Sequence, residues 1–271
     1  MTSNGKIGFI GGGNMAEAFI KGLIKSGVSA EKIMVSEPNE SRRQWVQQQY
    51  PILVAEDNLH LVRECTTIVL AIKPQIVEKV VSEVVSVFSP DKLLISILAG
   101  ICTETLEGLL GGKPHVVRAM PNTPALVDAG AAAVCPGRYA TDDDLQKAMK
   151  LFRLIGTVQQ VEEVQMDAVT GLSGSGPAFV YTVIEALADG GVQQGLRRDI
   201  AQALAVQTVL GSAKMVLESG EHPALLRDKV CSPAGTTINA IRVLEERGLR
   251  STLMEAVAAA TTRSRELGEK D

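Results

Sequence analysis

The chain has 271 residues, a formal net charge of −4 and no basic run, which argues against a nucleic-acid partner. Apolar residues make up 45% of it, enough for a substantial core in two domains or one large one. No leader segment is expected, because a strand pattern begins almost at once, and no apolar run reads as long enough to cross a bilayer.

The first strand pattern is the apolar run Ile7, Phe9 and Ile10, buried on both faces if the sheet is parallel. Gly11, Gly12 and Gly13 follow. From Met15, the residues Ala16, Phe19, Ile20, Leu23 and Ile24 recur at helical spacing. Strand, glycines and helix form the context of a dinucleotide fingerprint. Gly11 allows the tight turn, Gly13 lets the backbone approach a pyrophosphate, and Ala16 lets helix and strand pack closely. The helix N-terminus offers N–H groups and partial positive charge to the phosphates.

Strands are expected at Ile33–Ser36, Ile52–Val54, Thr67–Ile72, Leu93–Ile97, His115–Ala119, Ala131–Cys135 and Val158–Val161, with helices between most of them. That alternation predicts an α/β, doubly wound, Rossmann-like parallel sheet over residues 1–162, its last strands pairing antiparallel at an edge. Glu37, at the end of the second strand, fits the acidic position that accepts a ribose 2′-OH; Arg42 and Arg43 behind it could instead meet a 2′-phosphate. Asp57 or Asn58 caps the next helix. Lys73 lies at the carboxyl end of a central strand, where open α/β sheets bind ligands, and Pro74 suits the first turn of a helix. Ser96 to Gly100 is small enough for close approach to a cofactor. Met120-Pro121-Asn122-Thr123-Pro124 is a stiff turn at the same edge, where it could line a nicotinamide pocket.

Residues 163–271 carry almost no strand signal and predict a second, all-helical dimerisation domain. A helix starts at Pro177, a long one runs from Arg198 to Ser219, and two more cover Thr236–Arg247 and Thr252–Leu267. Its alanine- and leucine-rich faces predict at least a homodimer. Between helices lies Cys231-Ser232-Pro233-Ala234-Gly235-Thr236-Thr237, a hydroxyl-bearing loop running into a helix N-terminus. It reads either as a second anion site, for a substrate carboxylate, or as plain N-capping by Thr236 or Thr237.

Cys65, Cys102, Cys135 and Cys231 are scattered without metal-type spacing, the pattern of a reduced, cytoplasmic chain; His60, His115 and His222 stand far apart, and no metal site is readable. No catalytic triad or carboxylate pair is evident either. Hydride transfer needs little more than positioning, since the cofactor carries the hard chemistry, and a protonated imine needs no strong acid.

Gly8 to Ala16, Arg118 to Pro124, Gly171 to Ala178 and Asp228 to Thr237 together resemble the pyrroline-5-carboxylate reductase family, and the resemblance covers nearly the whole chain. It implies reduction of L-1-pyrroline-5-carboxylate to L-proline by NADPH or NADH. It further implies that Ile10, Gly11, Gly12, Gly13, Asn14 and Met15 form the pyrophosphate loop, with Glu37 and Asn58 near the adenosine ribose and its 2′-phosphate. Ala71, Ile72, Lys73, Pro74, Ile97, Leu98 and Ala99 match strand-end cofactor contacts, and Asn122 falls in the turn beside them. Ser232, Gly235, Thr236 and Thr237 match the substrate-carboxylate loop, and Thr237 the residue that bonds the ring nitrogen. The same resemblance implies a helical domain exchanged across a dimer, and dimers joined in a larger ring, often a decamer. Two departures stand out: Ala234 where the family has glycine, and Glu37 where several NADP-preferring members have a small neutral residue. The alternatives are a 3-hydroxyacid dehydrogenase of the same plan, with Lys214 as its lysine, and a nucleotide-sensing module without catalysis.

Overall fold

The computed structural model describes residues 5–268. One compact unit takes in the chain up to Ser175 and again from Ala259; the other is Gly176–Ala258. A cut at residue 162 does not coincide with these units, because the turns after it stay with the sheet.

The first unit is built from β1 (Ile7–Ile10), α1 (Asn14–Lys25), β2 (Ile33–Ser36), α2 (Glu40–Gln49), β3 (Leu53–Val54), α3 (Asn58–Glu64), β4 (Thr67–Leu70), α4 (Val77–Val84), β5 (Leu93–Ser96), α5 (Thr103–Leu110), β6 (His115–Met120), β7 (Gly130–Pro136), α6 (Asp142–Phe152), β8 (Gly156–Gln160) and the short α7 (Met166–Val169). The strands form one sheet in the order β3-β2-β1-β4-β5-β6-β7-β8. All neighbours are parallel except β6 and β7, so β7 and β8 run together in the reversed direction. The antiparallel step is therefore one strand in from the edge. Strand order reverses between β1 and β4, the switch point where such sheets bind ligands.

Period-two alternation explains the apolar runs. Phe9, Val69 and Ile95 face a core shared with Phe19 and Phe152 from the helices; Ile10, Ile68, Leu70 and Leu94 face the opposite core with Leu61 and Leu106. Phe19 packs edge-on against Phe152 at 4.9 Å between ring centroids. The apolar pattern of β4 runs on to Ile72 although pairing stops at Leu70, because Ala71 and Ile72 still pack against the two cores.

After β8 the chain is pinned to the sheet through Arg118. This arginine is buried in β6 and pairs through Nη1 with Glu163. Glu163 Oε2 also accepts from the Thr103 hydroxyl at 2.7 Å, and Asp167 Oδ1 accepts from the Ser264 hydroxyl at 2.7 Å. Burial pushes the Glu163 pKa up, but the bonds from Arg118 and Thr103 outweigh it and hold the carboxyl below its ordinary range. Burial, helped by the Glu163 charge, pushes the neighbouring Cys135 thiol up to about 12.

The second unit holds α8 (Gly176–Gln193), α9 (Arg198–Ser219), α10 (Pro223–Val230), α11 (Thr236–Glu246) and the start of α12 (Leu249–Gly268). Its buried core is small: Ala188, Ala201 and Ala205, flanked by Ile184 and Val192. Leu204, Leu210 and Leu217 of α9 and Met254 of α12 are exposed. One expectation is corrected here. Arg198–Ser219 is, by length and composition alone, long and apolar enough to cross a membrane. Gln202, Gln207, Thr208 and Ser212 break the consecutive apolar run without lowering its average far, which hid the helix from a search for unbroken stretches.

Because Glu163's pKa is lowered by folding, its contribution is present at neutral pH and is lost as pH falls through the folded-state value. Urea unfolding of the wild type and Glu163→Gln at a series of pH values should therefore show a wild-type advantage that shrinks below about pH 4. A difference independent of pH would remove Glu163 from the acid response.

Candidate active site

The structure offers two candidate sites, one in each unit. The first is the turn from β1 into α1. Gly11 adopts φ +96°, and a β-carbon there would lie 2.4 Å from the Ala71 carbonyl oxygen. Glycine is thus required by conformation and by space. Gly11 N–H donates to the Ser36 carbonyl at 2.8 Å and Ala71 N–H to the Ile10 carbonyl at 2.9 Å, which ties the ends of β2, β1 and β4 together. Gly13 is the N-cap of α1; no side chain caps the helix, and the space a β-carbon would enter at Gly13 is open. The first-turn N–H groups of Asn14, Met15 and Ala16 lack partners within the helix. A glycine turn required by sterics, an uncapped helix start and open space beside it fit the pyrophosphate of a dinucleotide.

At the end of β2, Glu37 Oε2 accepts from Gly12 N–H at 2.8 Å and Oε1 from Asn39 N–H at 2.8 Å. Arg42 donates Nη2 to Glu17 at 2.6 Å and Nε to the Gly12 carbonyl at 2.6 Å, and its guanidinium lies over the Trp45 ring. Arg43 donates Nη1 to the Glu37 carbonyl at 3.0 Å. Asp57 is the cap of α3, accepting from His60 N–H at 2.7 Å. That leaves Asn58 free to accept from the Ser36 hydroxyl at 2.7 Å and to donate to Glu83 at 3.0 Å.

The remaining strand-end positions sort by exposure. Ile10 and Leu98 are core side chains, so they present only backbone to a ligand. Ala71, Ile72, Ile97 and Ala99 are half-buried. Lys73 is exposed and leads into a 3-10 turn, Pro74–Ile76, with Pro74 at its start. Asn122, expected in the turn that could line the nicotinamide pocket, is hydrogen-bonded on both sides of its amide. Its Oδ1 accepts from Ala131 N–H at 2.9 Å and its Nδ2 donates to the Ser173 carbonyl at 3.0 Å. The amide stitches β7 to the π-helical turn Thr170–Gly174.

The second candidate site is the loop between α10 and α11. Gly235, not a threonine, is the N-cap of α11, and no side chain caps it. Thr236 and Thr237 are its first helical residues, which decides against plain capping by either. A β-carbon at Gly235 would lie 2.1 Å from Ser232 Oγ, so the serine hydroxyl is seated directly against the glycine. Gly235 N–H donates to the Ser232 carbonyl at 3.0 Å and Asn239 Nδ2 to the Gly235 carbonyl at 2.9 Å. Among the described residues no hydrogen bond engages the hydroxyls of Ser232, Thr236 or Thr237. Three hydroxyls and a bare helix N-terminus can hold a carboxylate and still leave a donor for a neighbouring atom. Ala234 stands at φ +56°, in the left-handed region that favours glycine. Lys214 is a solvated helix residue, 3.5 Å from Glu218 one turn on.

Two features had no sequence signal of their own. Arg118 was visible only as part of a motif, and its partner Glu163 lies 45 residues away. The Glu37–Gly12 bond joins residues 25 apart, and nothing local specifies it.

The fold and the first of these sites define a Rossmann-type dinucleotide-binding protein, and the second unit adds a hydroxyl-bearing loop that leads into an uncapped helix N-terminus. Residues 163–267 match the family model described as pyrroline-5-carboxylate reductase dimerisation, and residues 6–100 the model described as NADP oxidoreductase, coenzyme F420-dependent. A pyrroline-5-carboxylate reductase of Methanosarcina acetivorans is 49% identical over 98% of this chain and 99% of its own length. The structure of a pyrroline-5-carboxylate reductase from Coxiella burnetii aligns with TM-score 0.93 and 36% identity, covering 98% of this chain and 99% of that one. The Plasmodium falciparum pyrroline carboxylate reductase, solved with NADP bound, aligns with TM-score 0.89 and 33% identity over 99% of this chain and 100% of that one. The chain belongs to the pyrroline-5-carboxylate reductase family.

Left-handed backbone costs a non-glycine residue roughly 1–2 kcal/mol, partly offset by the greater unfolded-state freedom of glycine. Ala234→Gly should therefore stabilise the protein by about 1 kcal/mol. Thermal unfolding showing no gain would mean that the loop relaxes out of the strained conformation.

Proposed function

We propose that this protein reduces L-1-pyrroline-5-carboxylate to L-proline with NADPH or NADH, the last step of proline biosynthesis, in the cytoplasm. The observation that carries the reading is that, in one chain of this family, two loops each lead through a glycine N-cap, Gly13 and Gly235, into a helix with no side-chain cap. One helix follows the glycine turn of the sheet; the other follows Ser232–Gly235.

Gly13, Asn14 and Met15 hold the pyrophosphate through backbone N–H groups at the start of α1, and Gly11 and Gly12, whose N–H groups go to Ser36 and Glu37, form the turn that leads there. Glu37 and Asn58 face the adenosine end, and the backbone of Ile10, Ala71 to Pro74 and Ile97 to Ala99 lines the path between. When bound, the cofactor supplies the hydride that saturates the C=N carbon of the substrate. Ser232 Oγ, with the N–H groups of Thr236 and Thr237 at the helix start that Gly235 opens, holds the substrate carboxylate. The Thr237 hydroxyl hydrogen-bonds the ring nitrogen and fixes the orientation of the imine. The nitrogen enters as a protonated imine and leaves as the amine of proline, so no strong side-chain acid is required. The absence of a buried histidine or carboxylate in the loop is in keeping with that.

The assembly we propose is a homodimer in which each site combines one subunit's sheet with its partner's α10–α11 loop, and dimers join into a larger ring, a decamer. Exposed Leu204, Leu210, Leu217 and Met254 support it, as does the dimerisation model matched over the same helices. We assign the apolar faces of α9 to a second copy rather than to lipid on those grounds. The four cysteines are all free, in keeping with a reducing compartment.

The purified protein should oxidise NADH or NADPH when given pyrroline-5-carboxylate. Thr237→Ala should lower kcat by roughly tenfold to a hundredfold, the loss of one polar contact in the transition state. Ser232→Ala should act mainly on KM. Cofactor binding with no turnover on any imine would favour the sensing module instead. In solution, light scattering at micromolar concentration should give a dimer or a multiple of it; a monomer would sink the assembly.

A further inference from the structure

We propose that the end of β2 makes this chain selective for NADH over NADPH, with Glu37 as the selecting residue. The inference rests on the dinucleotide reading above and goes beyond it, since that reading accommodates either cofactor.

The two cofactors differ at one place, a hydroxyl or a phosphate on the adenosine ribose. In this fold the ribose is met by the residue at the end of the second strand. Here that residue is a half-buried carboxylate held from two sides. Gly12 N–H and Asn39 N–H each donate to one of its oxygens at 2.8 Å. Gly12 is so close that a β-carbon on it would lie 3.3 Å from Glu37 Oε2. An ionised carboxylate has about four lone-pair directions, and the two backbone bonds use two. Acceptor capacity remains for ribose hydroxyls, whereas a phosphate would face a fixed like charge.

The groups that could reverse this are turned elsewhere. Arg42 is paired with Glu17, bonded to the Gly12 carbonyl and stacked on Trp45. The Asn58 amide donates to Glu83, itself a carboxylate. Arg43 has no carboxylate partner among the described residues, but its Nη1 is held by the Glu37 carbonyl. To serve a 2′-phosphate it would have to leave that bond and work beside Glu37. Selectivity of this kind is built as much from a repelling group against the wrong ligand as from attraction to the right one.

The test is direct binding, measured by the fluorescence of NADH and NADPH titrated with the full-length protein, without substrate. The wild type should bind NADH at least tenfold more tightly. Glu37→Ser should erase or invert the ratio, chiefly by tightening NADPH. Glu37→Gln removes the charge and keeps the shape, so it should move in the same direction even if the serine variant folds poorly. Equal or tighter NADPH binding by the wild type overturns the proposal and makes Arg43 the dominant group. An unchanged ratio in both variants overturns the role of Glu37. If neither dinucleotide binds, the dinucleotide reading itself fails, and this inference with it.

Discussion

The nucleotide half of this molecule depends on one steric fact: there is no room for a side chain at Gly11. A β-carbon there would run into the Ala71 carbonyl, and the Gly11 N–H reaches the Ser36 carbonyl, so the ends of β1, β2 and β4 meet within a single turn. That closure aims the start of α1 along the switch point of the sheet. It also brings Gly12 N–H within reach of Glu37, so the same turn that places the helix N-terminus fixes the carboxylate at its flank. The uncapped start of α1 and the position of the carboxylate proposed to discriminate at the ribose are thus two consequences of one tight bend.

How much of this could be read from residues follows from the range of the forces involved. Local patterns were legible. The bounds of β2 and α9 fall where periodicity put them, and the order of alternating elements specified the doubly wound sheet. Strand ends blurred where apolar packing outlasts hydrogen bonding, as at Ala71 and Ile72. An antiparallel pairing of the last strands was expected at the edge, but it falls between β6 and β7, and the edge pair β7 and β8 is parallel. The site was legible as motifs and illegible as wiring. Nothing in the turn around Asn122 says that its amide is spent on Ala131 and Ser173. Nothing near Arg118 names Glu163 as its partner, though a buried arginine in an apolar strand is itself a sign that an acid must arrive from elsewhere.

The Arg118 cluster shows what such long-range wiring does. The chain leaves the sheet after β8 and could separate there. Glu163, bonded to Arg118 and Thr103, and Asp167, bonded to Ser264, hold the exit segment and the end of α12 to the same buried guanidinium neighbourhood. A charge network of this kind contributes modestly to stability, because burial costs much of what pairing returns. Its effect is positional: it decides that residues 163–175 move with the sheet although sequence character changes before them.

The two helix N-termini are made differently, and the difference bears on where order comes from. At α1 the required conformation falls on a glycine, so the turn carries no strain and the surrounding core of Phe9, Phe19 and Phe152 holds it. At α11 the left-handed residue is Ala234, and the unit around it buries little more than three alanines and their neighbours. Burying one methylene's worth of surface stabilises by only about 0.8 kcal/mol, less than the ~1–2 kcal/mol that ordering one residue's backbone costs. Such a core cannot by itself hold a strained loop in place. In the dimer proposed above, the leucines that α9 leaves in the open would supply the additional burial. Covering those faces and shaping the Ser232–Thr237 loop would then be the same event, so the substrate half of the site would be ordered by association and the nucleotide half by folding alone.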